Sequence, residues 1–373
     1  MAANAQAIPA ISEGVCHNIF VYDVAFSIDL VEAERKVKSV TQRETLPHKR
    51  RTPSYFEYQP APLRIDQDRV EIQIGDRIAH GRIELVVYDF GAVSVIYRTP
   101  LTGPFSDLLL LSEQLYENDH LLRDSRRRVE SLVETVRAAL ASERISGFVE
   151  DYVIFELRAF ADGPCVGDMV TQHAAQLAQI LRVERQELSL DEVTDALSHR
   201  ISYSSNDLVL VDWNAAIVIG EETEDTLRVL EFANVELLEM RFLDRRLDQA
   251  LSRAYERLSR RASRWLHFRS NPTDLRDISQ WQMDSAVLFE GVNNVLKLVG
   301  DQYLARLYRL AAQRFHLSDW DSAILRKLNT LESIYQKISD QVVSRRMEVL
   351  EWIIIVLIAV SIVLPFLSIG RVH

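Results

Sequence analysis

Glycine and proline are scarce in this chain, at 12 and 10 of 373 residues. So few turn-formers point to few loops and much helix. Cysteine is almost missing. Cys16 and Cys165 form no motif with each other or with a histidine. That fits a reducing compartment and excludes a disulfide framework. Basic charge is in deficit. A net charge of −11 argues against a general nucleic-acid binder, whose surface must be basic, although a local basic patch is compatible with it. There is no Lys or Arg before Arg35 and no long apolar run near the start. The beginning therefore reads neither as a secretory signal nor as an Arg-rich organelle presequence.

Catalytic signatures are missing as well. There is no Walker A loop, dinucleotide fingerprint, HExxH pair or GxSxG elbow. The nine histidines are scattered, and His173 and His199 have no companion at metal-ligand spacing. No catalytic residue, metal or cofactor is expected. Catalytic groups can converge from distant positions, so these gaps lower an enzyme reading without removing it.

What is present is one long apolar run at the C-terminus. From Trp352 to Gly370 the chain carries no charge. As a helix rising ~1.5 Å per residue it would extend about 28 Å, close to the ~30 Å hydrocarbon core of a bilayer. Lys337, Arg345 and Arg346 precede it and Arg371 alone follows. The positive-inside rule then keeps the large N-terminal part in the cytoplasm. Trp352 suits the interface, and Pro365 is tolerable near the end of a membrane helix. A single C-terminal transmembrane anchor is expected, in the cytoplasmic membrane of a bacterium or, alternatively, an organelle membrane.

Ahead of the anchor, residues 1–14 read as a loose tail and 17–30 as a strand rich in β-branched and aromatic residues. Asp29 could cap a helix through about Val40, with Leu30, Val31 and Val37 on one face. Residues 41–65 hold four prolines and read as a loop. Residues 82–97 form the clearest hairpin signal, two apolar runs flanking Asp89-Phe90-Gly91. The Asp side chain can close the turn and the Gly can take positive φ. Asp-Phe-Gly also spells a kinase magnesium motif, but the phosphate loop and the His-Arg-Asp loop are missing, so a turn is favoured. A helix is expected from about Ser106 to Leu140, with Arg126, Arg127 and Arg128 spread around its solvated surface. A strand at 151–160, helices at 168–182 and 191–198, and a second hairpin at 207–219 follow.

The two hairpins align without a gap. Residues 84–96 and 207–219 place Asp212 on Asp89, Trp213 on Phe90 and Asn214 on Gly91. Asn is the other residue that readily adopts positive φ, so a shared turn geometry would accommodate the exchange. The order strand, helix, hairpin, helix also recurs. The expected fold is therefore α+β: a duplicated βαββα body related by a pseudo-twofold axis. Long helices, a short coiled-coil-like stalk and one transmembrane helix follow it. Boundaries are expected at 15–147, 148–268, 269–344 and 345–373. Glu221, Glu222, Glu224 and Asp225 suit a helix N-terminus better than a metal site. Ile324, Leu328, Leu331, Tyr335, Ile338 and Val342 follow a heptad seam, which would pair helices within the chain or between copies.

The hairpin Leu85–Tyr97, the segment Leu237–Asp248 (LLEMRFLDRRLD) and the ending Arg345–Val360 (RRMEVLEWIIIVLIAV) resemble the "required for meiotic nuclear division" family over roughly residues 80–367. The resemblance implies a membrane-anchored α/β body with a helical stalk. Mitochondrial members are linked to organelle translation, by tethering or organising ribosomes near the inner membrane. The functional expectation is a non-enzymatic membrane-anchored scaffold or tether, with a protein or ribonucleoprotein partner and no sequence-specific nucleic-acid binding of its own. A homo-oligomer through the heptad seam is a second partner expectation. The alternative is a membrane-bound enzyme with a site between the repeats, near the Asp89 and Asp212 turns. A transporter subunit ranks last, since one span is visible and no Gly-Met-Asn motif occurs.

Overall fold

The computed structural model describes residues 9–41, 60–75, 77–161, 166–263 and 302–369. In chain order the first half runs β1 (Ala10–Asp23), β2 (Ser27–Ile28), α1 (Leu30–Thr41), β3 (Leu63–Ile74), β4 (Arg77–Val87), β5 (Ala92–Pro104), α2 (Asp107–Leu115), α3 (Asp119–Val136) and β6 (Leu140–Ala141). The second runs β7 (Val149–Phe160), α4 (Val166–Gln172), α5 (Ala174–Arg182), α6 (Leu190–Ala196), β8 (Arg200–Ile201), β9 (Leu208–Val211) and β10 (Ala215–Ile219). Among the described residues the helices α7 (Glu224–Ser263), α8 (Gln302–Arg314) and α9 (Leu317–Ile369) follow. The mixture of helix and sheet is α+β.

One eight-stranded sheet carries the body, in the order β3-β4-β5-β1-β7-β10-β9-β8. Its central strands β5, β1, β7, β10 and β9 are largely apolar on both faces because helices cover both. On one face Cys16, Phe20, Val95, Tyr97, Phe155 and Ile217 enter a core that includes residues of α1 to α5. Alternate residues such as Ile19, Ile96, Ile154 and Val218 take the other face and are equally buried. On that face α7 bonds to the sheet: Tyr88 Oη donates to Glu231 at 2.7 Å, and Arg64 reaches the same carboxylate at 2.9 Å. From Arg228 to Met240 every residue of α7 is buried, so this stretch is a central core helix.

The hairpins occupy matching places in the strand order. β1 and β7 meet at the centre, β5 and β10 flank them, and β4 and β9 come next. Strand direction breaks the expected twofold: β5 is antiparallel to β1, whereas β10 is parallel to β7. A parallel neighbour needs a crossover connection, and α4 to α6 supply one. The turns differ too. Val87 pairs with Val93, but Val211 pairs with Ala216, so the second turn is one residue shorter. Gly91 has φ +102°, as expected; Asn214 is not among the positive-φ residues. The shorter turn closes without a left-handed residue there, so the geometric reason for the Gly–Asn exchange does not hold. At Gly91 a Cβ would lie 2.0 Å from the Ala25 carbonyl oxygen, which makes glycine obligatory.

Other expectations are corrected locally. Residues 10–14, assigned to a tail, begin β1, and Ile11 is buried. Asp29 does cap α1, accepting from the Val31 and Glu32 amides at 3.0 and 3.1 Å. Val31 points to solvent, leaving Leu30 and Val37 against the core. β3 falls partly in the segment read as a loop. The single helix expected from Ser106 breaks into α2 and α3, because Asn118 caps a new start through the amides of His120 and Leu121. Of the three consecutive arginines on α3, Arg127 is exposed, while Arg128 is three-quarters buried and bonded to Asp124 and Gln67.

By internal contacts the chain divides into two units, which part at Phe242/Leu243 in α7 and at Asp321/Ser322 in α9. The first holds the sheet with α1 to α6, the start of α7, and α8. In the second, Lys327 of α9 binds Asp244 and Asp248 of α7 at 2.7 and 2.6 Å. Leu247, Ala250 and Ala254 are buried on α7, and Ile324, Leu331 and Ile334 on α9. Ile324 and Leu331 of the heptad seam are therefore buried within the chain itself, and Leu328 partly so. Tyr335, Ile338 and Val342 lie outside the described side chains, as do Arg345, Arg346 and Pro365. Trp352 is described and 67% exposed, and the apolar positions from Ile353 to Ile358 are at least half exposed. Among the described residues no helix is long and apolar enough to cross a membrane; in the second half of the expected span the side chains of residues 362–369, and residue 370 altogether, lie outside what is described.

Candidate functional site

Charges buried inside an apolar sheet mark the site. On the α7 face, Arg82, Arg98 and His17 stand directly opposite one another on β4, β5 and β1. Glu156 and Arg158 project to the same face from β7, beside β1 at the join between the two halves of the sheet. His17 Nε2 and Glu156 Oε2 are 2.8 Å apart, with Glu156 fully buried and His17 nearly so. Arg158 Nε donates to the other Glu156 oxygen at 2.8 Å, and the Thr223 hydroxyl, one residue before α7, donates there as well.

Electrostatics assign the protons. Burial alone would raise the Glu156 carboxyl, but hydrogen bonds from His17, Arg158 and Thr223 outweigh it and hold the group down at about 2. Burial lowers the His17 imidazole, the Glu156 bond opposes that, and Arg98 adds to the lowering. At neutral pH the pair is a neutral imidazole beside a carboxylate. An ionised carboxylate only accepts, so His17 Nε2 carries the proton and Nδ1 keeps a lone pair.

A second set of charges continues the network under α7. Glu84 takes Arg98 at 2.5 Å and Arg64 at 3.1 Å, and Arg64 also binds Glu231. Burial would lower Arg64, yet Glu231 and Glu84 together raise it. Around His17, Arg98 and Arg158 open two adjoining clefts, of about 570 and 510 Å³. The larger adds His80 and Arg82 to its wall; the smaller reaches Arg228 and the acidic start of α7. Glu224 and Asp225 lie in the first turn of that helix, where the macrodipole favours them.

The turn residues named from sequence lie elsewhere and do not come together. Asp89 is half-buried, and its carbonyl accepts from the Ile28 amide at 2.7 Å. Asp212 is wholly buried and takes Arg182 Nε at 2.6 Å and Arg314 Nε at 2.7 Å, while both arginines also reach Asp195. Tyr152 Oη donates to the Asp212 carbonyl at 2.9 Å. Asp212 is thus a structural clasp joining the β9–β10 turn to the ends of α5 and α8. Cys16 is buried on the opposite face of the sheet, which pushes its thiol up to about 12; Cys165 lies outside the described residues. Sequence reasoning missed His17, Arg98, Glu156 and Glu231. The available signal was a charge between apolar neighbours, as in Ile154-Phe155-Glu156-Leu157, within a strand too apolar to have a wet face.

Residues 13–226 match the family described as "Uncharacterized protein MJ0711, N-terminal domain". Protein MJ0711 of Methanocaldococcus jannaschii is 23% identical over 242 residues, covering 64% of this chain and 73% of the relative. No solved structure matches. The family match takes in every strand of the sheet and more than half of the sequence, and the chain belongs to that family.

Proposed function

We propose that this member of the MJ0711 N-terminal domain family is a membrane-anchored scaffold or tether, with a cytosolic α/β body that holds a protein or ribonucleoprotein partner. The carrying observation is the exposed run from Trp352 to Ile358. Apolar side chains around a whole helix circumference are unfavourable in water and call for lipid or a partner. The uncharged sequence through residue 370 favours lipid. The resemblance to the "required for meiotic nuclear division" family gives the tether reading its setting, the organisation of translation at a membrane. Matching hairpin positions in the strand order support duplication of the body, and the opposed strand directions limit that duplication to element order.

Membrane fractionation of the full chain tests the anchor. The expected result is a wild type that stays with membranes after carbonate washing. Ile355→Lys with Leu357→Lys places two charges in the span, each costing about 2.5–3.5 kcal/mol near a bilayer centre, and should release it. Equal retention of both proteins would refute the anchor.

One observation favours a second reading, an enzyme with its site between the two halves. His17 keeps a basic Nδ1 beside an ionised carboxylate at the β1–β7 join, the arrangement of an oriented general base. That reading moves the site away from the Asp89 and Asp212 turns.

A further inference from the structure

We propose that the cleft bordered by Arg82, Arg98, Arg158, His17 and His80 binds the phosphoryl group of a small molecule. The site is independent of the membrane reading. Its wall carries three guanidiniums and two imidazoles, completed by Val15, Gly81 and Pro100, and no carboxylate. Glu84 and Glu156 bond to Arg98, Arg158 and His17 without forming part of that wall. They therefore position Arg98, Arg158 and the neutral His17, and with Arg82 the three guanidiniums of the wall outnumber these two carboxylates.

Register supplies an independent argument. Arg82 faces Arg98 directly across β4 and β5, and Arg98 faces His17 across β5 and β1. His17 is neutral, so the like charges are the two guanidiniums of Arg82 and Arg98; opposite one another they destabilise a sheet, and an anion between them reverses the sign. Three guanidinium nitrogens are also left over, one of them Nε of Arg64 in the adjoining cleft. Arg98 Nε is buried without a hydrogen-bond partner, and so is Nη1 of Arg228 in the adjoining cleft. Arg228 is 8% exposed. A buried unmatched donor is costly, so these atoms await an acceptor.

The number of donors selects the ligand class. A carboxylate has two oxygens and is satisfied by one guanidinium fork, whereas a phosphate monoester has three terminal oxygens and suits several. The volume of about 570 Å³ exceeds what a bare phosphate fills and falls within the range of small-molecule sites. The phosphoryl group could belong to a soluble metabolite or to a lipid headgroup.

Calorimetric titration of the detergent-solubilised full chain distinguishes these sources, with inorganic phosphate in one series and dihexanoyl phosphatidic acid in another. Saturable binding of either is expected. Kd should rise at least tenfold in Arg98→Gln and several-fold in Arg82→Gln. Tighter binding of the phosphatidic acid identifies a headgroup, and tighter binding of phosphate a soluble ligand. Arg82 is exposed, so Arg82→Gln decides the matter if Arg98→Gln does not fold. Absence of saturable binding to both probes, or an unchanged Kd in Arg82→Gln, would overturn the proposal.

Discussion

Replacing Asp212 by Ala is the sharpest test of how the body is held together. The carboxylate is wholly buried and lies between Arg182 and Arg314, whose side chains are 26% and 12% exposed. Removing it leaves two guanidiniums facing each other without the one acceptor they share that is buried. Breaking a buried pair in this way costs about 3–5 kcal/mol. Asp195 still reaches both arginines, but its side chain is 55% exposed and the contact is solvent-screened. The lower end, about 3 kcal/mol, is therefore expected, a large share of the ~5–15 kcal/mol that separates folded from unfolded chains. With a urea m-value of roughly 3 kcal/mol/M, the midpoint should fall by about 1 M. Adding Arg314→Met removes one of the stranded charges and should restore part of the loss, a non-additivity of about 1 kcal/mol or more. A midpoint within about 0.2 M of wild type would refute the clasp, and so would strict additivity in the double variant.

Glu236 should give the fold a pH dependence. Burial raises its carboxyl from 4.5 to about 8, against an opposing hydrogen bond from Tyr308. Because the folded value lies above the unfolded one, its stabilising contribution is complete below about 4.5 and is lost as pH rises through 8. At pH 9 the loss is roughly 5 kcal/mol, so Glu236→Gln should remove that part of the decline in urea titrations run at pH 5 and pH 9; parallel declines in the two proteins would contradict this. Gly91→Ala should lower the melting temperature by several degrees, since its Cβ meets the Ala25 carbonyl and its φ is +102°. Gly147→Ala, with nothing within 4 Å of the added atom, should leave it unchanged. A harmless Gly91→Ala would show that the first turn tolerates another backbone.

Local physics was legible in the one-dimensional pattern. Asp29 before an amphipathic stretch announced the start of α1, and Asp89-Phe90-Gly91 between apolar runs announced a hairpin. The apolar stretch after Trp352 stood out because the absence of charge over many residues needs no fold to be recognised. The break between α2 and α3 was harder, since the Asn118 cap competes with a helical pattern that continues on both sides of it. β3 was obscured by the proline-rich segment that leads into it.

Composition and periodicity by themselves determined the α+β class, the two hairpins and the place of the long helices, because these depend on neighbours within a few residues. The tertiary structure alone decided strand direction, the burial of residues 228–240 and the meeting of His17, Arg98 and Glu156. His17 and Glu156 lie 139 residues apart, and only the pairing of β1 with β7 brings them to one face. The same holds for Asp212, which reads as an ordinary turn residue. Its clasp with Arg182 and Arg314 exists only once α5 and α8 end beside it, because a charge acts through space, and separation along the chain does not set that distance.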